Sequence, residues 1–211
     1  MKHIHITILL ILLSSSVSQA QVIRGAVLGG INLSQVDGDE VYGFHKFGWT
    51  AGAAAIIPLG NNFTVSLENN FSQRGSYQRP RFNDSLSGSY RLQLNYVDVP
   101  VLLHYTDKDI ITAGMGLSWG RLVRVKEAEH GQRVATTTLD GPYRRNDVAW
   151  MGDLRFRLHD RFHFNLRYTY SLAKIRTREF PKINTVRDQY NNFITFRLIY
   201  IFNEKVPEKK D

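Results

Sequence analysis

The sequence predicts an all-β protein, an eight-stranded antiparallel up-and-down transmembrane β-barrel. Three observations predict it. Eight stretches alternate apolar and polar residues, and most of them exceed the roughly 9–11 residues that a tilted strand needs to cross a bilayer. Short and long connections then follow one another in strict alternation between the stretches. The alternation is clearest in "DRFHFNLRYTYSL", 160–172. There Phe162, Phe164, Leu166, Tyr168, Tyr170 and Leu172 share one face, and His163, Asn165, Arg167, Thr169 and Ser171 share the other.

The chain opens with "MKHIHITILLILLSSSVSQA". A basic start at Lys2, an apolar run over 6–13 and the small-residue end Ser18-Gln19-Ala20 predict a secretory signal peptide over 1–20, cleaved after Ala20. The run is too short for a spanning helix, which needs about twenty apolar residues. The rest has no cysteine, so no disulfide framework holds it in an oxidising compartment. A pI of 9.8 would suit nucleic acid, but export makes that partner an unexpected one.

Strands are expected at 22–33, 46–59, 63–74, 90–105, 110–122, 146–158, 162–175 and 190–202, within a barrel domain over 21–203. The second, fourth and sixth connections are tight: "GNN" at 60–62, "TDKD" at 106–109 and "HDR" at 159–161. The others, near 34–45, 75–89, 123–145 and 176–189, are long. Short turns on one side and long loops on the other match outer-membrane barrels, whose turns face the periplasm. An even strand count leaves both termini on that side, with 204–211 as a charged periplasmic tail.

The apolar faces carry aromatic residues towards their ends. Phe47, Trp49, Phe71, Trp119 and Trp150 lie near the long loops, and Phe63, Tyr105, Phe162 and Phe202 near the short turns. Two aromatic girdles around an aliphatic band suit a membrane. The opposite faces hold Glu68, Arg91, Asp98, Asp153, Arg155, Arg157, Arg167 and Arg197, with Gln93, Asn95 and Asn165 among them. An eight-stranded barrel is just wide enough for side chains to fill. These groups are therefore expected to interlock as a polar network that plugs it.

In "YRLQLNYVDVPVLLHY" the apolar set changes phase, from Leu92, Leu94 and Tyr96 to Val97, Val99, Val101 and Leu103. A bulge near 96–98, or two shorter strands meeting at a bend, would produce that. Pro100 cannot donate to the ladder and marks a local interruption.

Taken in order, "VLGGINLSQV", "KFGWTAG", "SLENNFSQRGS", "LNYVDVPVLLHY", "RYTYSLAKI" and "YNNFITFRLIY" resemble the PorT-like outer-membrane β-barrel family of Bacteroidota. The resemblance implies an eight-stranded outer-membrane barrel and little about activity. The family's named member is similar to an accessory component of a protein-secretion machinery. The final strand, ending on Phe202, looks like the aromatic signal read by the barrel-assembly machinery, although "NEKVPEKKD" follows it.

Three classes of function follow. The first is an interaction barrel. Segments 74–91, 121–145 and 174–189 each carry a net charge of +3, whereas the first loop is acidic through Asp37, Asp39 and Glu40. Arg79, Arg81, Arg124, Lys126, Arg144, Arg145, Arg176 and Arg178 form the expected basic loop cluster. Its expected contacts are lipopolysaccharide phosphates, to which arginine binds bidentately, or an acidic envelope protein; solvated loops are the plain alternative. The second class is a small pore, which inward arginines oppose. The third is an outer-membrane lipase or acyltransferase. It would need a serine–histidine–acid set, and only Ser34, His45 and Asp37 or Asp39 come near one. No catalytic, metal or cofactor site is expected.

Overall fold

A computed structural model describes residues 23–78, 88–135, 139–180 and 184–204. The signal peptide expected over 1–20, Arg79, Arg81 and the tail beyond residue 204 lie outside these residues. Among the described residues ten strands form: β1 (Arg24–Asp37), β2 (Lys46–Gly60), β3 (Phe63–Gln78), β4 (Tyr90–Asp107), β5 (Ile111–Glu129), β6 (Gln132–Arg133), β7 (Asn146–His159), β8 (Phe162–Ser171), β9 (Arg176–Phe180) and β10 (Thr185–Ile201). Eight of them close a ring in the order β1-β2-β3-β4-β5-β7-β8-β10, with β10 returning to β1. The seam runs antiparallel from Ala26↔Ile201 to Asp37↔Tyr190. The short strands β6 and β9 are hairpin partners of β5 and β10.

Closure follows from the two-residue period. A ring satisfies every backbone donor without an edge, which a sheet in hydrocarbon must do. Tight turns at one end use residues that tolerate left-handed backbone, Asn61 and Asn62 at φ 50 and 68 and Lys108 and Asp109 at φ 47 and 56. At the other end the strands run further than the periodicity suggests. β3 continues to Gln78 and β5 to Glu129, so much of what reads as loop is ladder. At 18 and 19 residues, β4 and β5 are each about 60 Å long. Tilted by roughly 40°, they stand ~45 Å tall against an apolar band of ~25 Å. The barrel therefore stands highest at β4–β5.

The backbone of β4 keeps one phase throughout, which corrects the expected slip. Leu92, Leu94 and Tyr96, like Asp98, Leu102 and His104, all point inward and are buried, whereas Arg91 is exposed on the outer wall. Pro100 does interrupt the β3–β4 ladder, which lacks pairs between Leu67↔Val101 and Asn70↔Asp98, but the register is unchanged. The bulge sits on β5 instead. Asn95 faces Arg124 and Tyr96 faces Leu122, leaving Val123 as the extra residue.

The outer wall is greasy at mid-height. Met115 is 73% exposed and Leu117 57%. Aromatic pairs mark both ends, with Trp49 stacked on Phe71 at 4.4 Å near the loops and Phe63 against Tyr105 at 5.1 Å near the turns. Lipid contact accounts for so large an apolar surface, which water would not tolerate.

Candidate functional site

At mid-height the lumen is filled by a charge network built from opposing strands. Glu68 on β3 accepts from both terminal nitrogens of Arg167 on β8 (2.9 and 2.8 Å), from Arg197 on β10 (3.0 Å), from Arg155 on β7 (3.4 Å) and from the Asn70 amide (2.8 Å). Asp153 accepts from Arg167 Nε (2.7 Å), Asn165 (2.8 Å), Arg155 Nε (3.2 Å) and Arg197 Nη2 (3.4 Å). His104 Nε2 lies 3.4 Å from the same carboxylate. Alternation along each strand delivers every one of these groups inward.

A second ion cluster sits nearer the loops. Arg74 lies between Asp98 (2.5 Å) and Asp147 (3.3 Å), its guanidinium 4.0 Å above the Tyr96 ring. Asp147 also accepts from Ser171 (2.9 Å) and Asn191 (2.8 Å). Sequence reading counted Arg74 among the loop charges, but it is fully buried in the lumen. Its place was signalled by Ser72 and Ser76, which continue the inward face of Glu68 and Asn70. The space left beside Arg74 is about 20 Å³, room for about one water.

Above this cluster the lumen turns apolar. Val36, Leu92, Leu94, Leu122, Val125, Tyr143 and Ile175 pack together as a cap. At its top Glu127 accepts from Tyr90 (2.8 Å) and from Arg176 (3.4 Å), and Arg178 reaches Glu129 (2.8 Å). Asp39 is buried at this end, hydrogen-bonded by the Val41 N–H at 2.9 Å. Burial pushes its carboxyl up to about 6, against the opposing pull of hydrogen bonds from Ser76 and Val41.

Four of the expected interior residues stand elsewhere. Arg91 faces outward with Gln93 and Asn95, because the inward positions of upper β4 belong to Leu92 and Leu94. Arg157 points inward but lies apart from the central network, at the turn-side mouth, bound to Glu204 at 2.7 Å. Glu204, read as the start of the tail, is buried in that mouth.

The basic loop cluster also divides. Arg176 and Arg178 turn in towards Glu127 and Glu129, and Arg145 pairs with Asp140. Arg124, Lys126 and Arg144 are exposed. Ser34, His45 and the nearby acids do not assemble. The Ser34 hydroxyl binds the carbonyls of Gly75 (3.0 Å) and Lys46 (3.3 Å), while Asp37 accepts from Gln35 and Asn192. Among the described residues, no group of three or more metal-ligating side chains comes together.

Residues 19–176 match the outer membrane protein beta-barrel domain. No curated protein matches the chain. Among solved structures, Neisserial surface protein A is similar at a TM-score of 0.50 and 9% identity, over 84% of this chain and 96% of that one. Ail, the attachment invasion locus protein of Yersinia pestis, is similar at a TM-score of 0.50 and 17% identity, over 85% and 99%. Its complex with the heparin analogue sucrose octasulfate gives 0.51 and 16% over the same shares. At such identities the likeness is one of fold. With a closed eight-stranded ring, a lipid-facing apolar wall and a family match over most of its length, this chain belongs to the outer membrane protein beta-barrel domain family and is an outer-membrane protein.

Proposed function

We propose that this protein is a sealed, non-catalytic barrel whose high wall binds the phosphate groups of lipopolysaccharide in the outer leaflet. One observation carries the reading: the outer surface of β4 and β5 changes from apolar to basic along its length. On β5, Leu117 and Trp119 are followed outward by Arg121, Arg124 and Lys126; on β4, Val99 and Val97 are followed by Asn95, Gln93 and Arg91. Arg121 lies only ~7 Å along the strand from Trp119, which is the height of lipid headgroups above an aromatic girdle. Among the described residues no carboxylate pairs with Arg91, Arg124 or Lys126, in contrast to the inward-turned Arg176 and Arg178. Guanidinium groups bind phosphate bidentately, and an unpartnered cluster on the wall suits an anion in the membrane plane better than a soluble partner above it.

The filled lumen favours interaction over conduction. The PorT-like resemblance remains the finer placement within the family, and a secretion role has no dedicated feature to rest on. Ail's complex with a polysulfated sugar is in keeping with polyanion binding on this fold. The test is the triple variant R91E/R124E/K126E, extracted in mild detergent and assayed for bound lipopolysaccharide phosphate, with sucrose octasulfate as competitor. At least a fivefold loss of co-purified lipopolysaccharide is expected. Unchanged co-purification rejects the reading.

A further inference from the structure

The turn-side mouth holds an open cup of about 390 Å³ beneath an otherwise packed lumen. Four basic side chains from three strands line it, Arg24 of β1, Arg155 and Arg157 of β7 and His163 of β8; Arg155 is engaged by Glu68 and Asp153, and the other three meet at its mouth. Glu204, just past β10, lies across them. Its Oε1 is 2.7 Å from Arg157 Nη2 and 4.0 Å from Arg24 Nη1, and its Oε2 is 2.7 Å from His163 Nε2. One carboxylate thus occupies a position surrounded by three potential donors.

That carboxylate does not use all of them. Arg157 Nε and Nη1 are buried with no hydrogen-bond partner among the described residues. Leaving such donors unsatisfied is unfavourable, and release of the guanidinium from Glu204 would let it turn these N–H groups to an oxyanion in the adjoining cup. The cup also carries hydroxyls. Thr64, Thr106 and Thr112 line it, the last two hydrogen-bonded to each other at 2.9 Å. Among the described residues, Asp109 is the one other acid lining it.

We infer that this cup is a binding site for a small periplasmic oxyanion, a phosphate or a sugar carboxylate, with Glu204 as the tethered carboxylate that fills the anion position when no ligand is present. A tethered group competes at an effective concentration in the millimolar range or above, so its removal exposes the site. The site lies at the end opposite the basic wall, and its test is independent of lipopolysaccharide binding.

The experiment uses the full chain purified from outer membranes into detergent, with the His163 imidazole resonances followed by NMR. Inorganic phosphate and glucuronate are titrated separately into the parent protein and into E204Q. Saturable shifts are expected, tightened roughly tenfold in E204Q and lost in E204Q/R157Q. The sugar acid should bind more tightly than phosphate if the threonine hydroxyls contribute; the reverse order identifies free phosphate as the ligand. R24Q/E204Q, in which β7 is untouched, is expected to weaken binding and serves if R157Q does not fold. No saturable shift in E204Q with either anion overturns the proposal. So does binding that survives in both double variants.

Discussion

Replacing Glu68 with Gln removes one charge from the centre of the lumen and should destabilise the barrel by about 3–5 kcal/mol, the usual consequence of breaking a buried ion pair. The structure sets the direction. Glu68 and Asp153 together face Arg155, Arg167 and Arg197, so two negative charges meet three positive ones. The substitution leaves Asp153 alone against all three. A charge pair at ~3 Å is worth ~5 kcal/mol at an effective dielectric of 20, most of it offset by desolvation already incurred on folding. Gln is close in size, so no cavity opens, but its NH2 group would face guanidinium donors where an oxygen now accepts. Reversible guanidinium unfolding in detergent, followed by the fluorescence of Trp49, Trp119 and Trp150, gives the free energy. Removing one arginine as well, in E68Q/R197Q, returns the network to its parent net charge of +1 and should recover at least ~1 kcal/mol of the loss. A change below ~1 kcal/mol for E68Q, or strictly additive effects in the double variant, would refute the idea that the lumen is held by this network.

Asp39 makes folding pH-dependent at the loop end. Its folded pKa of about 6 exceeds its ordinary value of 3.8, so its contribution is complete below pH 3.8 and is lost as pH rises through 6. Hydrogen-exchange protection around Val41, corrected for intrinsic rates, should therefore fall between pH 4 and 7 by up to about 3 kcal/mol, and D39N should abolish that fall. An added Cβ at Gly30 would stand 2.0 Å from the Phe196 carbonyl oxygen across the seam. Gly30→Val must push β1 off β10 and should cut the fraction of heat-modifiable, closed barrel on a gel several-fold; wild-type closure would show that the seam can widen without cost.

Strand number, ring closure and the polar character of the lumen were legible because the two-residue period exposes both faces of each strand. Glu68, Asp153, Arg155, Arg167 and Arg197 share the inward parity, but sequence could not say that they meet at one height. That depends on strand stagger, which joins Glu68 on β3 to Arg197, 129 residues away. Arg74 was misplaced because its strand seemed to end there, when the ladder in fact carries on to Gln78. Arg176 and Arg178 looked like outward loop charges for the same reason. Their stretch is a hairpin strand paired with β10, and its alternation turns them in towards acids on β5. Glu204 gave no signal at all, since a lone acid after the last aromatic residue reads as a solvated tail.

The misreading of β4 has a physical cause that bears on where the membrane ends. A strand whose apolar residues change parity implies a slipped backbone only if the surroundings stay the same along its length. Around this barrel they do not. Where lipid lies outside, the outward positions Val97, Val99, Val101 and Leu103 are apolar and the lumen holds Asp98 and His104. Where water and headgroups lie outside, the outward positions become Asn95, Gln93 and Arg91, and Leu92, Leu94 and Tyr96 form a dry core within. The hydrophobic effect acts in opposite radial directions on the two halves of one uninterrupted strand. The inversion falls between Tyr96 and Val97 on β4 and next to Trp119 and Arg121 on β5, residues that face one another across the ladder, as Val97↔Arg121 does. Two neighbouring strands thus place the boundary at the same height by independent side chains. The bulge at Val123 lies just beyond it, where one extra residue lets β5 aim Arg124 and Lys126 outward while Val125 joins the dry core. A change of phase in a barrel sequence is therefore a reading of solvent as much as of backbone, and here it locates the start of the basic wall at the edge of the apolar band.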